Sequence, residues 1–324
     1  MLKKIVATAL ALSLLAGLTA CGSSGGSSGG SSGGSSTSAA SSSPVSSSAA
    51  GNGEKLNVSV SFNAMKEFAE AIGKDKVTIS TIIPDGMEPH DFEPKAQDLV
   101  ALSGADVFIY NGLGMEAWAE KAISAADNTA LIAVDASAGA DAIKNTDPAE
   151  VSAHGQYDPH LWLGITGAKT ELGNIKNAFV QADPANESYY EANYKDYTAQ
   201  LDALYQEYSE KFKTVESKSF VTGHAAFGYL CRDFGLEQNS VEDVFAEGEP
   251  TAQQLAELVD YCRTNHVSTV FAEEMASPDV SNTLANEVGA TVQTIYTVES
   301  AEDDLSYLQR MESNLSKIYD SLSK

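Results

Sequence analysis

Residues 186–212 read NESYYEANYKDYTAQLDALYQEYSEKF, one residue beyond Asp183-Pro184, and their reading decides the architecture. Tyr194, Tyr197, Leu201, Leu204 and Tyr208 recur at alternating three- and four-residue steps, which puts them on one stripe of an α-helix. At this spacing the tyrosines read as core packing rather than as a ligand platform. A helix of this length extends about 40 Å, enough to traverse two packed lobes. Such a strut limits the relative motion of the lobes more than loose connecting strands would, so a large hinge closure is not expected.

On either side the pattern alternates short β-branched runs with amphipathic helices, the mark of βα units around mainly parallel sheets. Strands are expected at Leu56–Phe62, Val77–Ile83, Asp106–Tyr110 and Leu131–Val134 before the helix. After it they are expected at Phe220–Thr222, Val267–Phe271 and Thr291–Tyr296. The fold class is therefore α/β: an N-terminal lobe at 54–185, a rigid linking helix at 186–215 and a C-terminal lobe at 216–324. Size agrees, because a body of about 270 residues exceeds what one core usually serves.

The chain has 324 residues and a formal net charge of −25. The first 53 residues hold only Lys3 and Lys4 among charged side chains, leaving 18 basic against 45 acidic residues in the body, a net of −27. That balance excludes a nucleic-acid binder, which needs clustered Lys and Arg. It is consistent with attracting divalent cations, although exposed charges are screened beyond about 8–10 Å in physiological salt.

Lys3 and Lys4 precede an apolar run from Ile5 to Leu18, too short for a comfortable membrane span, so residues 1–20 read as a secretory leader. The Leu18-Thr19-Ala20-Cys21 sequence resembles the lipobox of bacterial lipoproteins, in which the Cys is acylated. Residues 21–53 are almost wholly Gly, Ser and Ala and read as a flexible tether reaching roughly 30 Å. An exported location permits a disulfide between Cys231 and Cys262, with two free buried thiols as the alternative. Neither suits a metal site with His224, since Cys231 lies about 10 Å further along a predicted helix.

Three of the histidines sit in contexts that look built. His90 lies in Pro84-Asp85-Gly86-Met87-Glu88-Pro89-His90-Asp91-Phe92-Glu93-Pro94, just after a strand. His160 lies in Tyr157-Asp158-Pro159-His160-Leu161-Trp162-Leu163, where a proline opens a helix. His224 lies in Phe220-Val221-Thr222-Gly223-His224-Ala225-Ala226-Phe227, where a strand gives way to a helix. Ligands of open α/β sheets collect at the carboxyl ends of strands, and three imidazoles converging there suit zinc. Each histidine taken singly is equally well a cap or a hydrogen-bonded surface residue. His154 reads as a loop residue and His266 as a surface one.

Together these segments resemble the metal-binding solute-binding lipoproteins of ABC transporters, the zinc and manganese branch called cluster A-I. The likeness runs from about Leu56 to Leu322 and includes Glu249-Pro250-Thr251, Phe271-Ala272-Glu273-Glu274 and Ser277-Pro278. It implies two α/β lobes joined by a long helix with the metal between them. It also implies His90 and His160 as ligands from the first lobe, and His224 and a carboxylate, matched by Glu299, from the second. Glu273 and Glu274 are rivals for the carboxylate, or acceptors for an imidazole N–H, and Glu299 is otherwise an exposed acid capping a final helix at Ala301–Leu322. Manganese-type members tend to place a carboxylate where this chain has His224, so Zn²⁺ is favoured over Mn²⁺. Many zinc-type members carry a His-rich loop before the second ligand, whereas residues 137–156 here offer Asp141, Asp147, Glu150 and the single His154.

The function implied is a non-enzymatic, monomeric, lipid-anchored extracytoplasmic receptor delivering zinc to an ABC permease and its ATPase. Alternatives are a manganese receptor of the same family, a surface adhesin and a secreted zinc hydrolase with Glu273 or Glu274 as base. The hydrolase lacks an H-E-x-x-H helix, and Glu299 would fill the position its water needs.

Overall fold

The structure, a computed structural model, describes residues 55–146, 151, 155–244, 251–274, 279–301 and 303–323. The leader, Cys21 and the tether, His154, and the Glu249-Pro250 and Ser277-Pro278 pairs lie outside the described residues.

β-Branched and aromatic runs build a first sheet from β1 (Leu56–Val60), β2 (Val77–Thr81), β3 (Val107–Tyr110) and β4 (Ile132–Asp135), in the order β2-β1-β3-β4. Every pairing is parallel, with β1 and β2 in register from Leu56 opposite Val77 to Val60 opposite Thr81. A second sheet takes β5 (Ser219–Thr222), β6 (Glu237–Ser240), β7 (Thr269–Glu273) and β8 (Thr291–Ile295) in the order β6-β5-β7-β8, again parallel throughout. The two α/β lobes expected from the sequence are thus present. β6 was not expected: its Glu-Gln-Asn-Ser sequence carries no β-branched residue, and only pairing to β5 at the sheet edge makes it a strand. β7 starts and ends two residues later than expected and buries all five side chains, with Glu273 as its last residue.

The helices among the described residues are α1 (Asn63–Gly73), α2 (Val100–Ser103), α3 (Ala119–Ala125), α4 (Ile165–Ala182), α5 (Glu187–Phe212), α6 (Gly228–Phe234), α7 (Ala252–Thr264), α8 (Asp279–Val288) and α9 (Tyr307–Leu322). α5 is the strut read from the sequence. It buries Tyr190, Leu201, Tyr208 and Phe212 and half-buries Tyr194, Tyr197, Leu204 and Tyr205. Its neighbours are α1 and α4 from the first lobe and α6 and α9 from the second. The final helix starts at Tyr307, later than expected, because Ser306 and Gln309 form a capping box there.

One large apolar core runs through both lobes, and a smaller one of Val221, Val241, Leu258, Cys262, Val270, Leu284 and Ala285 packs with α7 and α8. Successive strand residues face opposite sides of a sheet, so Phe220 and Phe271 join the large core while Val221 and Val270 join the small one. Cys231 belongs to the large core and Cys262 to the small one, and both thiols are free and buried. The second sheet separates them, and the disulfide left open by the sequence is not made.

α9 is tied to the first lobe through ions. Arg310, almost fully buried, donates from Nη1 to Oε1 of Glu67 at 2.6 Å and from Nη2 to Oδ1 of Asp303 at 2.6 Å. Glu67 also accepts the backbone N–H of Tyr307, so one α1 carboxylate holds the start of α9. Removing one partner of such a group strands a buried charge, which costs about 3–5 kcal/mol. Arg310→Ala should lower the unfolding free energy by that amount in chemical denaturation, and a loss below about 1 kcal/mol would show the pair to be dispensable.

Candidate metal centre

The three imidazoles singled out by their sequence contexts come together. His90 stands in the loop after β2, His160 immediately before a short turn of 3₁₀ helix at Leu161–Leu163, and His224 two residues after β5. Ligand nitrogens drawn from the three rings lie within 4.8 Å of one another. The ring centroids are 5.1 Å apart for His90 and His160, 4.8 Å for His160 and His224, and 5.6 Å for His90 and His224. His160 is fully buried and His224 nearly so.

Nε2 of His90 and Nε2 of His160 are 3.2 Å apart. Two nitrogens bound at 2.0–2.1 Å to one tetrahedral zinc stand about 3.3–3.4 Å apart, close to the observed spacing, which is also that of an N–H···N hydrogen bond between the two rings. The tautomer agrees. Oδ1 of Asp158 accepts from both Nδ1 and the backbone N–H of His160, each at 2.9 Å, which fixes the ring and leaves Nε2 as the lone-pair nitrogen. Asp158 is held in turn, because the Tyr229 hydroxyl of α6 donates to its carbonyl at 2.7 Å. The adjoining Pro159 carbonyl accepts from Nδ2 of Asn111 at 2.9 Å.

Glu299 is buried rather than an exposed cap, and its Oε1 lies 3.7 Å from Nε2 of His160. Oε2 accepts from the Thr297 hydroxyl at 3.0 Å, while Oε1 has no hydrogen-bond donor among the described residues. A buried carboxylate oxygen without a donor is costly, and a cation among the three imidazoles is the group that would satisfy it. Burial, then the charges of Glu88 and Glu274, hold the Glu299 carboxyl well above the ordinary range, a shift that a bound dication would reverse.

The rival carboxylates have other partners. Oε1 of Glu273 accepts the His224 backbone N–H at 3.0 Å, and a Cβ at Gly223 would come within 2.3 Å of its Oε2, so only glycine lets the carboxylate lie there. Burial pushes Glu273 up to about 7. Glu274 accepts the backbone N–H groups of Thr297 and Val298. Neither holds an imidazole N–H. Sequence reasoning missed Asp158 and Glu88, each two residues before a histidine; Oε1 of Glu88 accepts the His90 backbone N–H at 3.3 Å. An acid at that offset beside a proline was the available sign.

Residues 58–321 match the family model described as ZnuA, the periplasmic component A of a zinc-uptake complex. The chain is 43% identical over 279 residues to a protein of Treponema pallidum (strain Nichols), covering 84% of this chain and 88% of that one. It is 36% identical over 288 residues to the high-affinity zinc uptake system protein ZnuA of Bacillus subtilis (strain 168), covering 85% and 90%. Among solved structures, a zinc-bound ZnuA deletion mutant superposes with a TM-score of 0.74 at 30% identity, over 84% of this chain and 99% of that one.

Burial first, then the neighbouring His160, push His224 down to about 3, so its ring stays neutral and metal-ready over a wide range. Between that value and the unfolded value near 6.5 the unfolded chain binds the extra proton, so stability falls as pH falls. Metal-free protein should therefore lose stability relative to His224→Gln by up to about 1.4 kcal/mol per pH unit from pH 6.5 toward 4, measured by urea unfolding. The subtraction removes opposing groups common to both proteins, such as Glu116, which burial raises to about 7. A pH-independent difference would place His224 in water.

Proposed function

The chain belongs to the ZnuA family of zinc-uptake components, and from that membership we propose that it captures zinc outside the cytoplasm and passes it to the permease of an ABC transporter. In this reading His90 and His160 bind from the first lobe and His224 and Glu299 from the second. Cys21 carries the lipid anchor and residues 21–53 form the leash.

The observation that carries the reading is the donorless Oε1 of Glu299 facing the three-imidazole cluster. Three neutral nitrogens and one carboxylate oxygen form a tetrahedral set suited to a borderline-soft ion, and zinc outcompetes manganese at almost any such site. Of the carboxylates a hydrolase would recruit as base, Glu274 is held by two backbone N–H groups, while Glu273 gives Oε1 to the His224 N–H and keeps Oε2 without a donor among the described residues. Binding from both lobes also gives a means of signalling occupancy, since an ion shared across the cleft favours the arrangement that aligns all four ligands.

Competition titration with a zinc chelator tests this. Wild type should bind one zinc, and His224→Ala and Glu299→Ala should each weaken binding by more than the about 10–100-fold that outer-shell changes cost. Asp158→Asn should fall inside that range. Wild-type affinity in both ligand variants would remove the proposed site.

A further inference from the structure

Val298, the residue before Glu299, has φ 62° and no solvent exposure. A buried β-branched residue rarely adopts the left-handed region, and such a conformation persists only where its surroundings over-determine it. Here they do. The carbonyl of Thr297 accepts the Trp162 indole N–H at 2.7 Å, and the carbonyls of Val298 and Ser300 each accept Nδ2 of Asn63 at 3.4 Å. The carbonyl of Glu299 accepts the Asn63 backbone N–H at 3.4 Å. All of these donors come from the first lobe. The N–H groups of the turn point the other way, toward Glu274, the residue after β7. Oε2 of Glu274 accepts from Thr297 N at 2.9 Å, and Oε1 accepts from Thr297 N and Val298 N at 3.1 Å each.

We propose that Glu274 is the positioning residue for the fourth metal ligand: its carboxylate clamps the left-handed turn at Val298 and so aims Oε1 of Glu299 at the imidazoles. This rests on Glu299 as a ligand. The carboxylate form is needed because both oxygens accept. In a glutamine, one orientation turns the NH₂ toward Thr297 N–H, and the other deprives Val298 N–H of its acceptor. Released from the clamp, the turn relaxes toward negative φ and carries the Glu299 side chain off line. A ligand displaced by tenths of an ångström loses affinity without any contact between Glu274 and the ion.

A double-mutant cycle on the full chain, read by zinc competition titration, tests it. Glu274→Gln should weaken zinc about 10–100-fold when Glu299 is present, and by no more than about twofold in the Glu299→Gln background. Simple loss of a nearby negative charge would weaken zinc in both backgrounds, so an equal effect in both, or no effect in either, overturns the proposal. If Glu299→Gln alone leaves zinc affinity unchanged, the ligand assignment itself fails and the proposal falls with it. Cobalt(II) substitution gives a second readout: the visible spectrum of Glu274→Gln should shift toward that of Glu299→Gln, and a wild-type spectrum contradicts the clamp. Should Glu274→Gln fail to fold by circular dichroism, Glu274→Asp enters the same cycle, because it keeps the charge and shortens the reach to the Thr297 and Val298 N–H groups.

Discussion

A buried carboxylate oxygen with no donor, 3.7 Å from a buried imidazole nitrogen, is the constraint around which this molecule is arranged. Folding ordinarily removes such situations, because each desolvated acceptor left unmet costs free energy that packing must supply. Here it is kept, at the point where two sheets direct the loops beyond their strand ends toward each other. What the pattern lacks is positive charge. Among the described residues no Lys or Arg pairs with Glu299, and Glu88, Glu273 and Glu274 add negative charge nearby. A dication is the group that relieves all of these at once.

Holding the pattern open requires a rigid frame, and the structure supplies it twice over. α5 packs on helices of both lobes, and the Arg310–Glu67–Asp303 cluster fastens α9 to α1. The turn bearing Glu299 takes its carbonyl donors from the first lobe and its N–H acceptor from the second. The histidines are likewise steadied from outside the proposed ligand set: His160 by Asp158, His224 by the Val244 carbonyl at its Nε2 and by Glu273 through its backbone, and His90 by Glu88 through its backbone. The geometry of the proposed ligand set thus depends partly on groups outside it.

Local periodicity made much of this readable. The stripe on α5 and the β-branched runs depend on neighbours three, four or two positions away, so they survive in one dimension. The histidines stood out because each follows a strand end or precedes a helix. β6 was hidden because a polar Glu-Gln-Asn-Ser segment becomes a strand only when β5 offers it an edge. The separation of Cys231 from Cys262 depended on which face of a sheet each helix covers. The task of Glu274 was invisible for the same reason: its partners lie 23 and 24 positions away and are backbone amides, which carry no sequence signature. Glu273 and Glu274 look equivalent on paper, and only the pleat of β7 sends one to His224 and the other to the Glu299 turn.

X-ray absorption at the zinc edge, on the one-to-one zinc complex of the full chain, tests the central claim most directly. Four-coordination is expected, with three imidazole nitrogens at about 2.0–2.1 Å and one carboxylate oxygen at about 2.0–2.2 Å. A sulfur scatterer near 2.3 Å, or a shell with fewer than three imidazoles, would contradict a site built from His90, His160, His224 and Glu299.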